Sequence, residues 1–202
     1  MPYIPQDKWA LKAKKEGYAA RSAYKLIYIY RQFGILNRET TLVLDLGCSP
    51  GSWVEVAREK IGQKGAIIGV DIKPVEKKIK ETAGFIFLQK DIYDADLIKI
   101  LKNITGNKSF DTVLSDAAPK TTGQKDIDQW RAHELALRVF DIIKTELKKN
   151  GNAIIKIFEG PDTPELLKIA RELFKKVHLI KPEASMKGNK EAYIVAKNKN
   201  PF

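Results

Sequence analysis

The 202-residue chain carries 36 Lys and Arg against 25 Asp and Glu, a formal net charge of +11, and a single cysteine, Cys48. Such a length supports one α/β core and is short for two. One cysteine excludes an internal disulfide, and Lys or Arg interrupts every long apolar run, which excludes a disulfide-built secreted domain and a membrane-spanning one and predicts a cytoplasmic protein.

Residues 1–16 contain Pro2 and Pro5, then Lys8, Lys12, Lys14 and Lys15 around Trp9 and Leu11, a basic arm or short helix. Residues 22–33 have helical apolar spacing, with Ser22 as the expected cap and Gly34 as the stop. Residues 42–46 form an apolar strand halted by Gly47-Cys48-Ser49-Pro50-Gly51, and Ser52 is expected to cap a helix bearing Val54, Ala57 and Ile61. Further strands are predicted at 66–70, 85–88 and 110–114, with a short helix at 97–101. A polar loop at 120–126 leads into a long helix from 127 to about 149, closed by Asn150-Gly151. Strand 153–157, helix 164–175 and strands 177–180 and 192–196 complete the pattern. This alternation predicts a single α/β domain with a mainly parallel seven-stranded sheet, helices on both faces and ligands at the carboxyl ends of the strands.

The first strand, glycine turn and helix read as half of a nucleotide-binding unit, and Asp71 ends the second strand twenty residues beyond Gly51. A carboxylate there accepts hydrogen bonds from both hydroxyls of a ribose. The turn is not G-x-G-x-x-G, and Pro50 removes a backbone donor that a pyrophosphate needs. S-adenosylmethionine, with a ribose and no phosphate, fits better than a dinucleotide. An ordinary strand-to-helix turn accounts for the glycines but not for the acid that follows. Cys48 reads as a small buried filler, since no partner base is near it in sequence.

Charge is clustered at the ends. Residues 1–38 hold eight Lys/Arg against two Asp/Glu and residues 168–202 hold nine against three, while the middle holds nineteen against twenty. If the ends meet on one face they suit a phosphate backbone; the alternative is the solvated, lysine-rich surface of a heat-adapted protein. Asp116 follows the fourth strand, and Lys156 lies in the fifth among Ile155, Ile157 and Phe158, where strand alternation allows it to face a site or solvent. His133 and His178 have no ligand spacing, and no metal is expected.

Together these features resemble the FtsJ family of RNA ribose 2′-O-methyltransferases over nearly the whole chain. Tyr24-Lys25-Leu26, the run from Asp45 through Gly47, Pro50 and Gly51 to Trp53, Asp116-Ala117-Ala118-Pro119, Lys156-Ile157-Phe158-Glu159-Gly160 and Glu191-Ala192-Tyr193 stand in the family's order. The resemblance implies a Rossmann-like S-adenosylmethionine-dependent methyltransferase fold and a catalytic tetrad of Lys25, Asp116, Lys156 and Glu191. In it Lys156 is the general base, Asp116 holds that lysine near the sulfonium, Lys25 orients the hydroxyl and Glu191 fixes the lysines. A free lysine titrates near pH ~10.4, so the base is expected to be depressed by burial or by the charge of Lys25, against the pull of Asp116.

The resemblance further implies that Gly47, Gly51, Trp53, Asp71, Asp91 and Asp116 contact S-adenosyl-L-methionine, Trp53 being either a pocket wall or a core aromatic. RNA contacts are expected at Lys8, Lys12, Arg21 and Lys187, with residues 1–38 as a basic helical extension; Ala19 stands where many relatives carry arginine. The implied substrate is a uridine of large-subunit (23S) rRNA, reached within the large ribosomal subunit by a monomer with no membrane partner. A tRNA ribose, a non-catalytic RNA-binding assembly role and a small-molecule acceptor are the competing readings.

Overall fold

The computed structural model describes residues 7–120, 122–185 and 190–201. In chain order the elements are α1 (Lys8–Glu16), α2 (Ala23–Phe33), β1 (Leu42–Leu46), α3 (Ser52–Lys60), β2 (Ala66–Asp71), α4 (Lys77–Lys80), β3 (Phe85–Gln89), α5 (Leu97–Thr105), β4 (Phe110–Ser115), α6 (Lys125–Glu146), β5 (Leu147–Phe158), α7 (Thr163–Leu173), β6 (Phe174–Ile180) and β7 (Glu191–Lys199). They build one sheet of order β3-β2-β1-β4-β5-β7-β6. The first five strands run parallel, and β7 runs antiparallel to both β5 and β6.

Strand alternation splits the core in two. Leu44, Leu46, Ile68 and Ile155 face one layer with Phe110 and Phe140, whereas Val43, Ile67, Ile154 and Tyr193 face another with Leu26 and Trp53. Each fully buried aliphatic side chain contributes about 1.5–3 kcal/mol, and β1, buried on both faces, contributes to both layers.

Local stops behave as their residue types require, with two corrections. Asp7 caps α1 by accepting from the N–H groups of Trp9 and Ala10, and Gly34 ends α2 in the left-handed region. Ser52, expected as a cap, is instead the first residue of α3, and Gly51 precedes it at φ 120. A Cβ on Gly51 would stand 2.5 Å from Ile79, so only glycine makes this turn. The long helix stops at Glu146, where Lys199 Nζ donates to the Lys144 and Leu147 carbonyls at 2.7 Å and satisfies its end. Asn150, at φ 61, marks an irregularity inside β5 rather than a helix end, where pairing with β4 shifts between Phe110 and Thr112.

The two basic ends are brought together. Ala13 and Tyr24 pack with Ala184 of the β6–β7 connection, bordered by Trp9, Tyr18 and Ile27.

Candidate active site

A cavity of about 750 Å³ opens at the carboxyl ends of the parallel strands, lined by Gly47, Asp71, Asp91 and Asp116 among others. Gly47 sits at φ 77, and a Cβ there would lie 2.5 Å from the Ala117 backbone, so its bareness lets the loops after β1 and β4 touch. Asp71 is fixed by the N–H of Ser49 on one oxygen (3.0 Å) and that of Lys73 on the other (2.8 Å). Asp91 accepts from the Tyr93 N–H at 3.0 Å. Both carboxylates are thereby oriented while keeping lone pairs for a ligand.

Asp45 lies in β1, fully buried, with neither carboxylate oxygen hydrogen-bonded. Burial, then the charges of Asp116 and Asp71, hold its carboxyl well above the usual carboxylate range. Such a group is costly to bury and is suited to a cationic ligand nearby.

Two of the expected cofactor contacts are packed within the fold beside this site. Gly51 faces Ile79. Trp53 is 2% exposed, donates its indole N–H to the Ser22 carbonyl at 2.9 Å and packs against Tyr193 with ring centroids 5.8 Å apart. Neither is on the lining of this cavity.

Beside the cavity, four elements deliver one charged cluster. Lys156 Nζ from β5 is 3.2 Å from Asp116 Oδ1, just past β4, and 3.2 Å from Glu191 Oε2 at the start of β7. Lys25 Nζ, from α2, is 2.6 Å from Glu191 Oε1. Lys25 and Glu191 are 5% and 4% exposed.

Tyr193 joins this cluster. It stands opposite Lys156 in the antiparallel register, and its hydroxyl lies 2.6 Å from Asp116 Oδ1 and 3.2 Å from Glu191 Oε1. Sequence reasoning quoted Tyr193 within a motif without a role; its spacing of two from Glu191, which places both on one strand face, was the available signal.

The electrostatics correct one expectation. Burial, the largest influence on Lys156, pulls its pKa down, yet Asp116 and Glu191 together lift it above the ordinary lysine value. Without ligands it is therefore an ammonium, and the charge of Lys25 does not depress it because Glu191 stands between them. Burial alone would raise Glu191, but Lys156 and Lys25 hold it at about 2.

The expected RNA contacts differ among themselves. Lys8 and Lys12 extend over Trp9 at 5.2 and 5.6 Å from the ring centroid, and Lys12 also over Tyr24 at 4.8 Å. Arg21 is paired with Asp7. Lys187 lies outside the described residues.

The sheet order, the antiparallel β7 and a cavity with a fixed carboxylate after β2 define a Rossmann-like S-adenosylmethionine-dependent methyltransferase. The chain belongs to the FtsJ-like methyltransferase family, whose model matches residues 18–199, and its methyl donor is S-adenosyl-L-methionine. It is 40% identical over 199 residues to ribosomal RNA large subunit methyltransferase E of Bdellovibrio bacteriovorus, spanning 98% of this chain and 100% of the relative. The protein of the same name from Methanosphaera stadtmanae is 40% identical over 190 residues, 92% of this chain and 89% of the relative. Among solved structures, a ribosomal RNA methyltransferase from Plasmodium falciparum matches with a TM-score of 0.77 at 30% identity, covering 90% of this chain and 98% of that one.

Proposed function

We propose that the protein methylates a ribose 2′-hydroxyl of RNA, at a uridine of large-subunit rRNA carried in the large ribosomal subunit, with Lys156 as general base. The observation that carries the reading is the meeting of Lys25, Asp116, Lys156 and Glu191, from four elements, within hydrogen-bond reach at the edge of the donor cavity. Relatives 34–40% identical over nearly their full length bear the name ribosomal RNA large subunit methyltransferase E. The reading takes the protein as a cytoplasmic monomer, and no helix among the described residues is long and apolar enough to cross a membrane.

The cavity residues fit the donor. About 750 Å³ is ample for a ligand of this size, Asp71 is oriented so that it would accept the ribose hydroxyls, Asp91 would hydrogen-bond near the adenine, and Asp45, with no hydrogen-bond partner, lies near Asp116. When bound, S-adenosylmethionine supplies an electrophilic methyl on a sulfonium.

A ribose hydroxyl becomes an adequate nucleophile only as its proton leaves. Lys25 donates a hydrogen bond to that oxygen and holds it in line with the methyl. With the donor bound, its sulfonium would share the charge of Asp116, and the burial that already pulls the Lys156 pKa down would be less opposed. Having given its own proton to solvent, Lys156 Nζ would take the 2′-hydroxyl proton, while the bound donor would supply the methyl to that oxygen and leave as the neutral thioether once its sulfur–carbon bond breaks. Glu191 keeps both lysines in place throughout.

The test is transfer of radiolabelled methyl to unmodified total RNA, resolved into rRNA and tRNA, with Lys156→Ala alongside. Label in large rRNA that vanishes in the variant is expected. Label in tRNA moves the target while keeping the chemistry, and transfer undiminished by Lys156→Ala removes the assigned base. Absence of label in every RNA, including RNA within ribosomal subunits, favours a non-catalytic binding role. That role gives no reason for two lysines under a tenth exposed to share one carboxylate.

A further inference from the structure

The cavity has two chemical ends. The acids Asp71, Asp91 and Asp116 line it, and its rim carries three exposed large apolar side chains, Trp130 (61% exposed), Tyr93 (53%) and Ile72 (49%). Beside them on the same rim stand Lys73, Lys120 and Arg131. Among the described residues no carboxylate lies within ion-pair distance of Lys73 or Lys120. Lys90, also on the lining, is by contrast engaged by Asp94 and Asp96. The donor's ribose, adenine and sulfonium account for the carboxylates and for Ile72 and Tyr93, which neighbour Asp71 and Asp91 in the chain. Trp130, exposed beside Lys120 and Arg131, is left over, and its chemistry is complementary to a nucleobase joined to a phosphate.

The position of Trp130 ties this rim to the reaction centre. It lies near the start of α6, next to Gln129, whose Nε2 donates to the Phe158 carbonyl at 3.1 Å. Phe158 pairs with Glu191 and sits two residues beyond Lys156. Gln129 is also packed on Gly160, where a Cβ would lie 2.5 Å from its amide nitrogen. The indole is therefore carried on a helix clamped to the strand end that presents the tetrad. The same helix holds Arg131, whose Nη1 reaches the Lys120 carbonyl at 3.4 Å and ties the two cations together. Among the described residues the Trp130 ring stacks on no other ring and has no cation over it.

We propose that Trp130, flanked by Lys120 and Arg131, is a stacking platform for an unpaired nucleobase of the RNA substrate adjacent to the methylated nucleotide. The proposal rests on the RNA 2′-O-methylation reading and adds to it a second contact point, on the opposite side of the tetrad from α1. Stacking is tolerant of base identity, so the platform holds the strand in place without reading its sequence.

The test separates this role from a lid over the donor. Trp130→Ala and Trp130→Phe are compared with wild type in methyl transfer to unmodified large-subunit rRNA, varying RNA and donor concentrations independently. We expect Trp130→Ala to raise KM for RNA about fivefold, the low end of what one base–aromatic stack supplies, with KM for the donor unchanged, and Trp130→Phe to recover most of the loss. In parallel, binding of a fluorescein-labelled oligouridylate is compared with that of an abasic ribose-phosphate strand of equal length. Trp130→Ala should weaken the first and leave the second unaltered. A rise in donor KM instead, equal loss on both strands, or no change in either assay overturns the platform. Failure of the wild-type protein to methylate or bind any RNA is a different result and removes the underlying reading itself.

Discussion

Lys25 and Lys156 are held on opposite oxygens of one carboxylate, with Glu191 Oε1 2.6 Å from the first and Oε2 3.2 Å from the second. Glu191→Gln removes one of the two charges that lift the Lys156 pKa, so the lysine loses its proton at lower pH. The rising limb of single-turnover rate against pH is expected to move down by about one unit, and the protein to lose about 3 kcal/mol in denaturant unfolding because two buried ammonium groups are left undercompensated. An unmoved limb would show that Lys156 is not the titrating base.

The same pair sets an acid-stability window. Glu191 titrates at 4.5 in the unfolded reference and at about 2 when folded, so its contribution is complete above 4.5 and disappears as pH falls from there toward 2. The contribution has an upper bound of about 3 kcal/mol. Urea unfolding of wild type and Glu191→Gln should therefore differ most near neutrality and converge at the acid end. A gap that stays constant across that range is the contrary outcome.

Gly47 and Gly17 share a left-handed backbone and differ in surroundings, since a Cβ meets the Ala117 backbone at the first and open space at the second. Gly17→Ala should cost about 1 kcal/mol of stability and leave donor affinity intact. Gly47→Ala must push apart the loops after β1 and β4, and calorimetric titration with S-adenosylmethionine should show affinity reduced by about tenfold or more. Wild-type donor affinity in Gly47→Ala would mean that these loops need not touch.

Basic residues near the amino end are unequal. Arg21 is paired with Asp7, while Lys8 has no carboxylate within ion-pair distance among the described residues. Lys8→Ala should lower the salt-dependence slope of RNA binding by about one, and Arg21→Ala should change it less. Asp7→Asn preserves the α1 cap and frees the guanidinium, so it should tighten RNA binding at low salt; weaker binding would mean that the Asp7–Arg21 pair itself shapes the surface.

Where one rule governed a stretch, the sequence was a sufficient guide. The apolar runs that became β1, β2 and β4 are bounded by turn residues and buried on both faces, so pattern and structure coincide. Lys25, Asp116, Lys156 and Glu191 were named through the order of their motifs, and the fold brings them together. Legibility failed where one residue type serves two purposes. Asn150-Gly151 suits a helix stop and a strand irregularity equally, and only the pairing of Leu147 with Phe110 decides between them. Gly51 and Trp53 stand in the cofactor motif, and their packing on Ile79 and Tyr193, distant in sequence, is not written in that motif. The direction of the Lys156 shift depends on a balance between burial and two carboxylates on other strands, which no local pattern encodes.

The sheet order carries a consequence for biogenesis. β7, which brings Glu191 and Tyr193, follows every other strand in the chain yet lies inside the sheet, between β5 and β6. A nascent chain emerging amino end first can assemble the donor cavity from β1, β2 and β4 while Lys25 and Lys156 still lack their shared counter-ion. β6 meanwhile has no neighbour to pair with until β7 inserts. The ion-pair cluster that joins Lys25 to Lys156 therefore closes only once residue 191 has left the ribosome, however early the strands before it pair.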